Sequence, residues 1–249
     1  MRLYRRFGRR AFTLVEVLVV IGIVALLVGA LLPALNRARR NAKSAQCLSN
    51  LRQMQAAQLA YAMDNKGWLI QAGFDHGGET GNEAVAWFNT LQSYYQNKLV
   101  ARCPADDSPH WVDSLPGTNL PARRRTSFGI NCFLDLKYQP WGPGGSIPPS
   151  VRYVKLDRIP RAGATIQFVE MAYAGEFAVA DHPHVENWAG SFPPAQAAGQ
   201  LEINAHGTRP KSWDSVANYG FLDGHAESLR FRDAFESFQR NKFDPAVAQ

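Results

Sequence analysis

The chain has 249 residues, 46% of them apolar, enough for one ordinary domain with accessory segments. Its formal net charge is +6, but Arg2, Arg5, Arg6, Arg9 and Arg10 all precede Ala11 with no acid among them, so the rest is nearly neutral. That placement, with no aromatic-interleaved basic groove, argues against nucleic acid as a partner, and the short run Arg123–Arg125 reads as a solvated loop.

Beyond this basic leader, residues 17–32 contain no charged or strongly polar side chain. With Ala34 and Leu35 the stretch reaches about 19 residues, roughly 28 Å as a helix, which spans a hydrocarbon core. A cleaved secretory signal would need a small-residue cleavage site, but "NRARRNAK" follows. A twin-arginine signal, hinted at by "RRAF", needs the same site. A retained anchor fits better. The arginines before it favour a cytoplasmic N-terminus, while Arg37, Arg39, Arg40 and Lys43 beyond it weaken that bias. Glu16 is the awkward residue. A carboxylate within a membrane helix costs a few kcal/mol or more and calls for a partner or a function. Its plainer reading is a shallow side chain snorkelling to the interface.

The stretch "AFTLVEVLVVIGIVALLVGALLP" resembles the N-terminal signature of type IV prepilins and type II secretion pseudopilins. The resemblance implies that a prepilin peptidase cuts between Ala11 and Phe12 and methylates the new N-terminus at Phe12. Glu16 then becomes the fifth residue of the mature chain, where the family carries its glutamate, and Pro33 takes the place of a helix-bending proline. Ala11 departs from the glycine usual before the cut. The implied mechanism answers the physical problem: cleavage creates an amine at Phe12 that can neutralise Glu16 of a neighbouring subunit.

From Asn36 to Lys66 there is neither proline nor glycine. Ala45, Leu48, Leu51 and Met54, then Leu59, Ala62 and Met63, form an apolar stripe opposite Arg, Gln, Asn and Ser. This predicts an amphipathic helix closed by "DNKG", with Gly67 as C-cap. Joined to the membrane segment and bent near Pro33, it forms a rod of roughly 80 Å. Further on, residues 84–95 read as a helix, and 125–136, 165–173 and 175–181 as strands. "YQPWGPGGSIPPS" reads as a loop within one head domain, and "FRDAFESFQRNKF" as a short C-terminal helix. In "VANYGFLDGHAESLRF", two alternating runs flank Asp223-Gly224 and predict a hairpin with a type I′ turn.

That last stretch also resembles the C-terminal "DGH" element of a large pilin-like bacterial group, and "CLSNLRQMQAA", "ARCPADD" and "SFGIN" resemble other pieces typical of that group. Members often carry a His about ten residues before the Asp-Gly pair; here His206 is seventeen before Asp223.

Candidate chemistry is sparse. His206, Asp223 and His225 are candidates for a divalent cation, since imidazole and carboxylate suit zinc or manganese. Turn and loop roles are the plainer reading, Asp223 above all. There is no H-E-x-x-H, no helical His pair and no G-x-S-x-G, and Glu170, Glu176, Glu186 and Glu202 are scattered, so no enzyme activity and no cofactor is expected. Cys47, Cys103 and Cys132 allow at most one internal disulfide. Cys47–Cys103 is favoured, Cys103–Cys132 is the rival, and buried free thiols are the plain alternative. No C-x-x-C spacing marks a zinc site.

The sequence therefore points to an α+β, pilin-like chain: leader 1–11, transmembrane helix 12–35, amphipathic helix 36–66, and a head 67–249 in which the helix packs on a mainly antiparallel sheet. The expected protein is a structural pilin-like or pseudopilin-like subunit, single-pass in a bacterial inner membrane, with the head periplasmic or extracellular. Its partners would be prepilin peptidase and other pilin or pseudopilin subunits. Two rival readings are a membrane-anchored module binding carbohydrate or another ligand through exposed Trp87, Trp111, Trp141, Trp188 and Trp213, and a metal-dependent enzyme built on His206, Asp223 and His225.

Overall fold

The structure is a computed structural model and describes residues 14–73, 86–111, 124–136, 141–142, 145–146, 153–207 and 211–249. Ala11 and Phe12 lie outside the described residues, as do Arg123 and most of the Pro/Gly loop. The chain divides into two units, Met1–Asn41 and Ala42–Gln249, each treated by itself.

Helix α1 (Leu14–Asp64) enters both. In the first unit its apolar side chains are exposed all round, from Leu14 at 76% through Leu26 at 73% to Leu31 at 65%. A helix apolar on every face has no polar side to give to water and requires lipid or neighbouring helices. Pro33 sits inside it and has no N–H to offer the preceding turn.

In the second unit α1 becomes one-sided. Its buried residues are Cys47, Asn50, Leu51, Met54, Gln55, Ala57, Gln58 and Ala62. These recur at three- and four-residue steps, as one face of a 3.6-residue helix must. The expected stripe is thus rotated: Ala45 is exposed, and Met63 is 85% exposed. A strict three-residue step lags the helical repeat and walks off the buried face. The helix closes at a left-handed Lys66 (φ 56°) followed by Gly67 (φ 82°), whose N–H donates to the Ala62 carbonyl at 2.7 Å. The left-handed turn therefore begins one residue before the predicted glycine.

Helix α2 spans Trp87–Tyr95. The strands are β1 (Phe128–Ile130), β2 (Trp141–Gly142), β3 (Gly145–Ser146), β4 (Ile166–Glu170), β5 (Val216–Phe221), β6 (Ala226–Arg230), β7 (Phe235–Ser237) and β8 (Arg240–Asn241). Short helices α3 (Pro193–Ala197) and α4 (Phe231–Ala234) fall among them. The main sheet runs β1-β4-β5-β6, antiparallel throughout, with β2-β3 and β7-β8 as separate two-stranded ribbons. The fold is α+β, with a long N-terminal helix and an antiparallel head.

Both faces of this sheet are covered. On one, Leu51 and Met54 of α1 and Trp87 and Leu91 of α2 pack on Phe128, Ile130 and Phe168. On the other, Ile166, Val169, Tyr219 and Phe221 meet Trp188, Phe231, Phe235 and Phe243. Ile166 and Phe168 share parity yet lie in different cores. A bulge between them, where Ile166 pairs with Phe221 and Phe168 with Gly220, reverses the alternation. Phe168 and Glu170 consequently face α1.

Several sequence expectations change in detail. Residues 125–136 supply only the three-residue β1, followed by a 3₁₀ turn at Cys132–Leu134. Residues 175–181 form no strand but a 3₁₀ turn at Glu176–Ala178, because the Ala178 carbonyl accepts from the Arg124 guanidinium rather than from a ladder. "FRDAFESFQRNKF" gives α4 and then the β7-β8 hairpin. The Asp223-Gly224 hairpin exists, but only Gly224 (φ 105°) has positive φ, so the turn is not type I′. The Gly224 N–H donates to the Phe221 carbonyl and the Phe221 N–H to that of His225, which makes a three-residue loop with Gly224 at the bulge. The carboxylate of Asp223 accepts from the His225 N–H at 3.1 Å and holds this form.

Candidate functional site

Two places carry chemistry. The first is the N-terminal segment. Its charged member among the described residues, Glu16, lies in the first described turn of α1. The helix that follows is long and apolar enough to cross a membrane.

The second place lies in the head and was not assembled by sequence reasoning. Sγ of Cys47, Sγ of Cys103, a Glu170 carboxylate oxygen and a His206 ring nitrogen all lie within 4.8 Å of one another. Each arrives on a different element. Cys47 is on the buried face of α1; Cys103 follows a 3₁₀ turn at Lys98–Ala101; Glu170 ends β4; His206 lies in the loop before β5. The Cys47 thiol donates to Glu170 Oε1 at 2.9 Å, and His206 Nε2 lies 3.0 Å from the same oxygen and 3.7 Å from Cys103 Sγ. Glu170 Oε2 accepts from the Asn218 N–H at 3.4 Å.

Electrostatics follow from burial. Burial pushes the Glu170 carboxyl up, but the hydrogen bond and charge of His206 outweigh it and hold the group below its ordinary value. Burial alone would lower His206; its bonds to Cys103 and Glu170 instead carry it up to about 10. Desolvation raises the Cys47 thiol, and Cys103 and Glu170 add to that.

A polar network behind Cys103 fixes its backbone. The Cys103 N–H donates to Ser127 Oγ at 2.8 Å, Ser127 Oγ donates to Asp106 at 2.6 Å, and Asp106 accepts from Arg124 Nε at 2.7 Å. Arg124 is 1% exposed, so the central residue of the basic run is a buried anchor rather than a solvated charge; Arg125 beside it is exposed. Its guanidinium also donates to the carbonyls of Ala172, Ala178 and Met171.

His206 is therefore not grouped with Asp223 and His225. Those two form their own pair, Oδ1 to Nδ1 at 2.5 Å, with side chains 43% and 41% exposed and the imidazole stacked on Phe221. Cys47, Cys103 and Cys132 are all buried free thiols. Cys47 and Cys103 share the site, whereas Cys132 lies 3.9 Å from Glu186 in the other core. Trp87 and Trp188 are fully buried, Trp111 is buried under Arg102, and Trp213 is half-buried. The side chain of Trp141 lies outside the described set. The described tryptophans thus make no exposed row for a ligand. Glu170 was missed as one of several scattered acids, although an acid closing the apolar run "TIQFVE" is a signal of a buried, partnered carboxylate.

Comparison with known proteins bears on the first place. A family model described as the prokaryotic N-terminal methylation motif matches residues 6–32. No curated protein and no solved structure matches the chain. The matched stretch begins in the basic leader, contains Ala11, Phe12 and Glu16, and ends one residue before Pro33. The chain thus carries a prepilin-type N-terminal methylation motif on a long apolar helix, an N-terminus consistent with those of type IV pilins and pseudopilins.

Proposed function

We propose that the chain is a structural subunit of a type IV pilus or of a type II secretion pseudopilus. In this reading it sits in a bacterial inner membrane with its N-terminus cytoplasmic and its head periplasmic or extracellular. Prepilin peptidase cuts between Ala11 and Phe12 and methylates Phe12, and the role is mechanical rather than enzymatic. The observation that supports this most is the methylation motif lying on a helix that is apolar on every face and interrupted by one carboxylate, Glu16. Lateral association of such helices covers the apolar surface. It also sets the new amine at Phe12 of one subunit near Glu16 of another, so a charge that is costly alone becomes favourable on assembly.

The test is expression with and without a prepilin peptidase, followed by mass spectrometry of the N-terminus. A mature chain beginning at methylated Phe12 is expected. An unprocessed chain, or one cut beyond Leu35, would refute the reading. Glu16→Ala is expected to insert normally but assemble poorly; filaments indistinguishable from those of the parent would overturn the charge-pairing mechanism.

A further inference from the structure

Assembly through α1 makes no use of the four buried groups in the head. We infer that Cys47, Cys103, Glu170 and His206 form a closed, tetrahedral divalent-cation site of the zinc class, with two thiolates, one imidazole nitrogen and one carboxylate oxygen as ligands.

Chemistry and geometry agree. Thiolate with imidazole is the donor set that selects zinc over the hard cations, and carboxylate is an accepted fourth ligand. Zinc bonds of about 2.3 Å to sulfur and about 2.0–2.1 Å to nitrogen or oxygen place tetrahedral neighbours about 3.3–3.8 Å apart. Three of the six separations are 2.9, 3.0 and 3.7 Å and the other three lie within 4.8 Å, so movements of no more than about 1 Å would bring the four atoms to tetrahedral spacing. The donors converge rather than pair off. The Cys47 thiol and His206 Nε2 both point at Glu170 Oε1, and the same Nε2 also faces Cys103 Sγ. Four ligand atoms of these types gathered within 4.8 Å of one another are close enough to share one ion.

The surroundings suit a site that is built once and kept. Cys47 and Cys103 are 0% exposed and Glu170 is 2% exposed. The ligands are held from behind: Cys103 by Ser127, Glu170 by the Asn218 N–H, and His206 by its own N–H to the Val216 carbonyl at 3.1 Å. Such outer contacts orient ligands in metal centres. Four protein ligands leave no open position, so the ion would be structural, tying α1 to the sheet and two loops. Binding releases both thiol protons, and any proton on His206 Nε2, to solvent. The missing C-x-x-C spacing follows, because the ligands come from four elements and not from one knuckle. A Cys47–Cys103 disulfide would use two of the four groups and leave Glu170 and His206 as a buried pair, so the two arrangements exclude each other.

The test uses the full-length chain in detergent, purified under reducing conditions, stripped with a chelator and titrated with zinc chloride or cobalt(II) chloride. Saturable uptake of about one ion per chain is expected, with a tetrahedral cobalt spectrum and a thiolate-to-metal charge-transfer band. Cys47→Ser and Cys103→Ser should lose the band, and Cys132→Ser should keep it. Because the serine variants can misfold, X-ray absorption on the zinc-loaded parent reads the ligands directly: two sulfurs at about 2.3 Å and two lighter atoms at about 2.0–2.1 Å. No saturable uptake, a shell of nitrogen and oxygen only, or a Cys47–Cys103 disulfide in protein taken from its native membrane would each overturn the inference.

Discussion

Replacing Arg124 by Met gives the sharpest test of how the head is held. The side chains of Arg124 and Asp106 are both 0% exposed, so water cannot take over any bond the guanidinium makes. The substitution removes donors to Asp106, to Ala172, to Ala178 and to Met171. Asp106 keeps the Ser127 hydroxyl and the Ser108 N–H, but loses its counter-charge. Breaking a buried ion pair from one side costs about 3–5 kcal/mol. Burial already pulls the Arg124 guanidinium below its ordinary value, with Asp106 pulling the other way, so the two charges depend on each other. The assay is urea unfolding of the full-length chain in detergent, followed by tryptophan fluorescence. Trp111 lies 5.7 Å from the Arg124 guanidinium and reports on the site. Arg125→Met, at the exposed neighbour, serves as control and should stay within about 0.5 kcal/mol of the parent. Adding Asp106→Asn to Arg124→Met removes the stranded charge, so the double variant should lose less than the two single losses together. Equal, small losses for Arg124→Met and Arg125→Met would refute the buried-anchor argument.

Two further outcomes are expected. Trp188→Ala should cost about 3–5 kcal/mol in the same assay, because Trp188 is fully buried against Phe231, Phe235 and Phe243; a loss below about 1 kcal/mol would mean this core is not closed. Gly224→Ala should lower the melting temperature, by about 1 kcal/mol or more of stability, because φ is 105° there; an unchanged melting temperature would show that the turn can rebuild without the bulge.

Legibility in the sequence tracked the range of the interaction. The helix end near Gly67 and the hairpin around Asp223-Gly224 could be read because both are written in neighbouring residues. The form of that hairpin turn could not, because it depends on which of two adjacent residues takes positive φ, and the Asp223 side chain bonding to the His225 N–H decides it. The strand expected at 175–181 failed for a longer-range reason: its Ala178 carbonyl accepts from Arg124, far away in sequence. Arg124 itself was misread because a short basic run carries no sign of its partner Asp106.

By itself, the sequence determined the basic leader, the uniformly apolar segment, the position of Glu16 within it, and the amphipathic continuation. These are consecutive patterns whose physical meaning, lipid on every side and then a core on one, needs no partner segment to be known. Only the tertiary structure decided the head's chemistry. The bulge in β4 turns Glu170 toward α1, α1 brings Cys47, and two separate loops bring Cys103 and His206. Residues that distant in sequence share no local pattern, and only chain packing makes them neighbours.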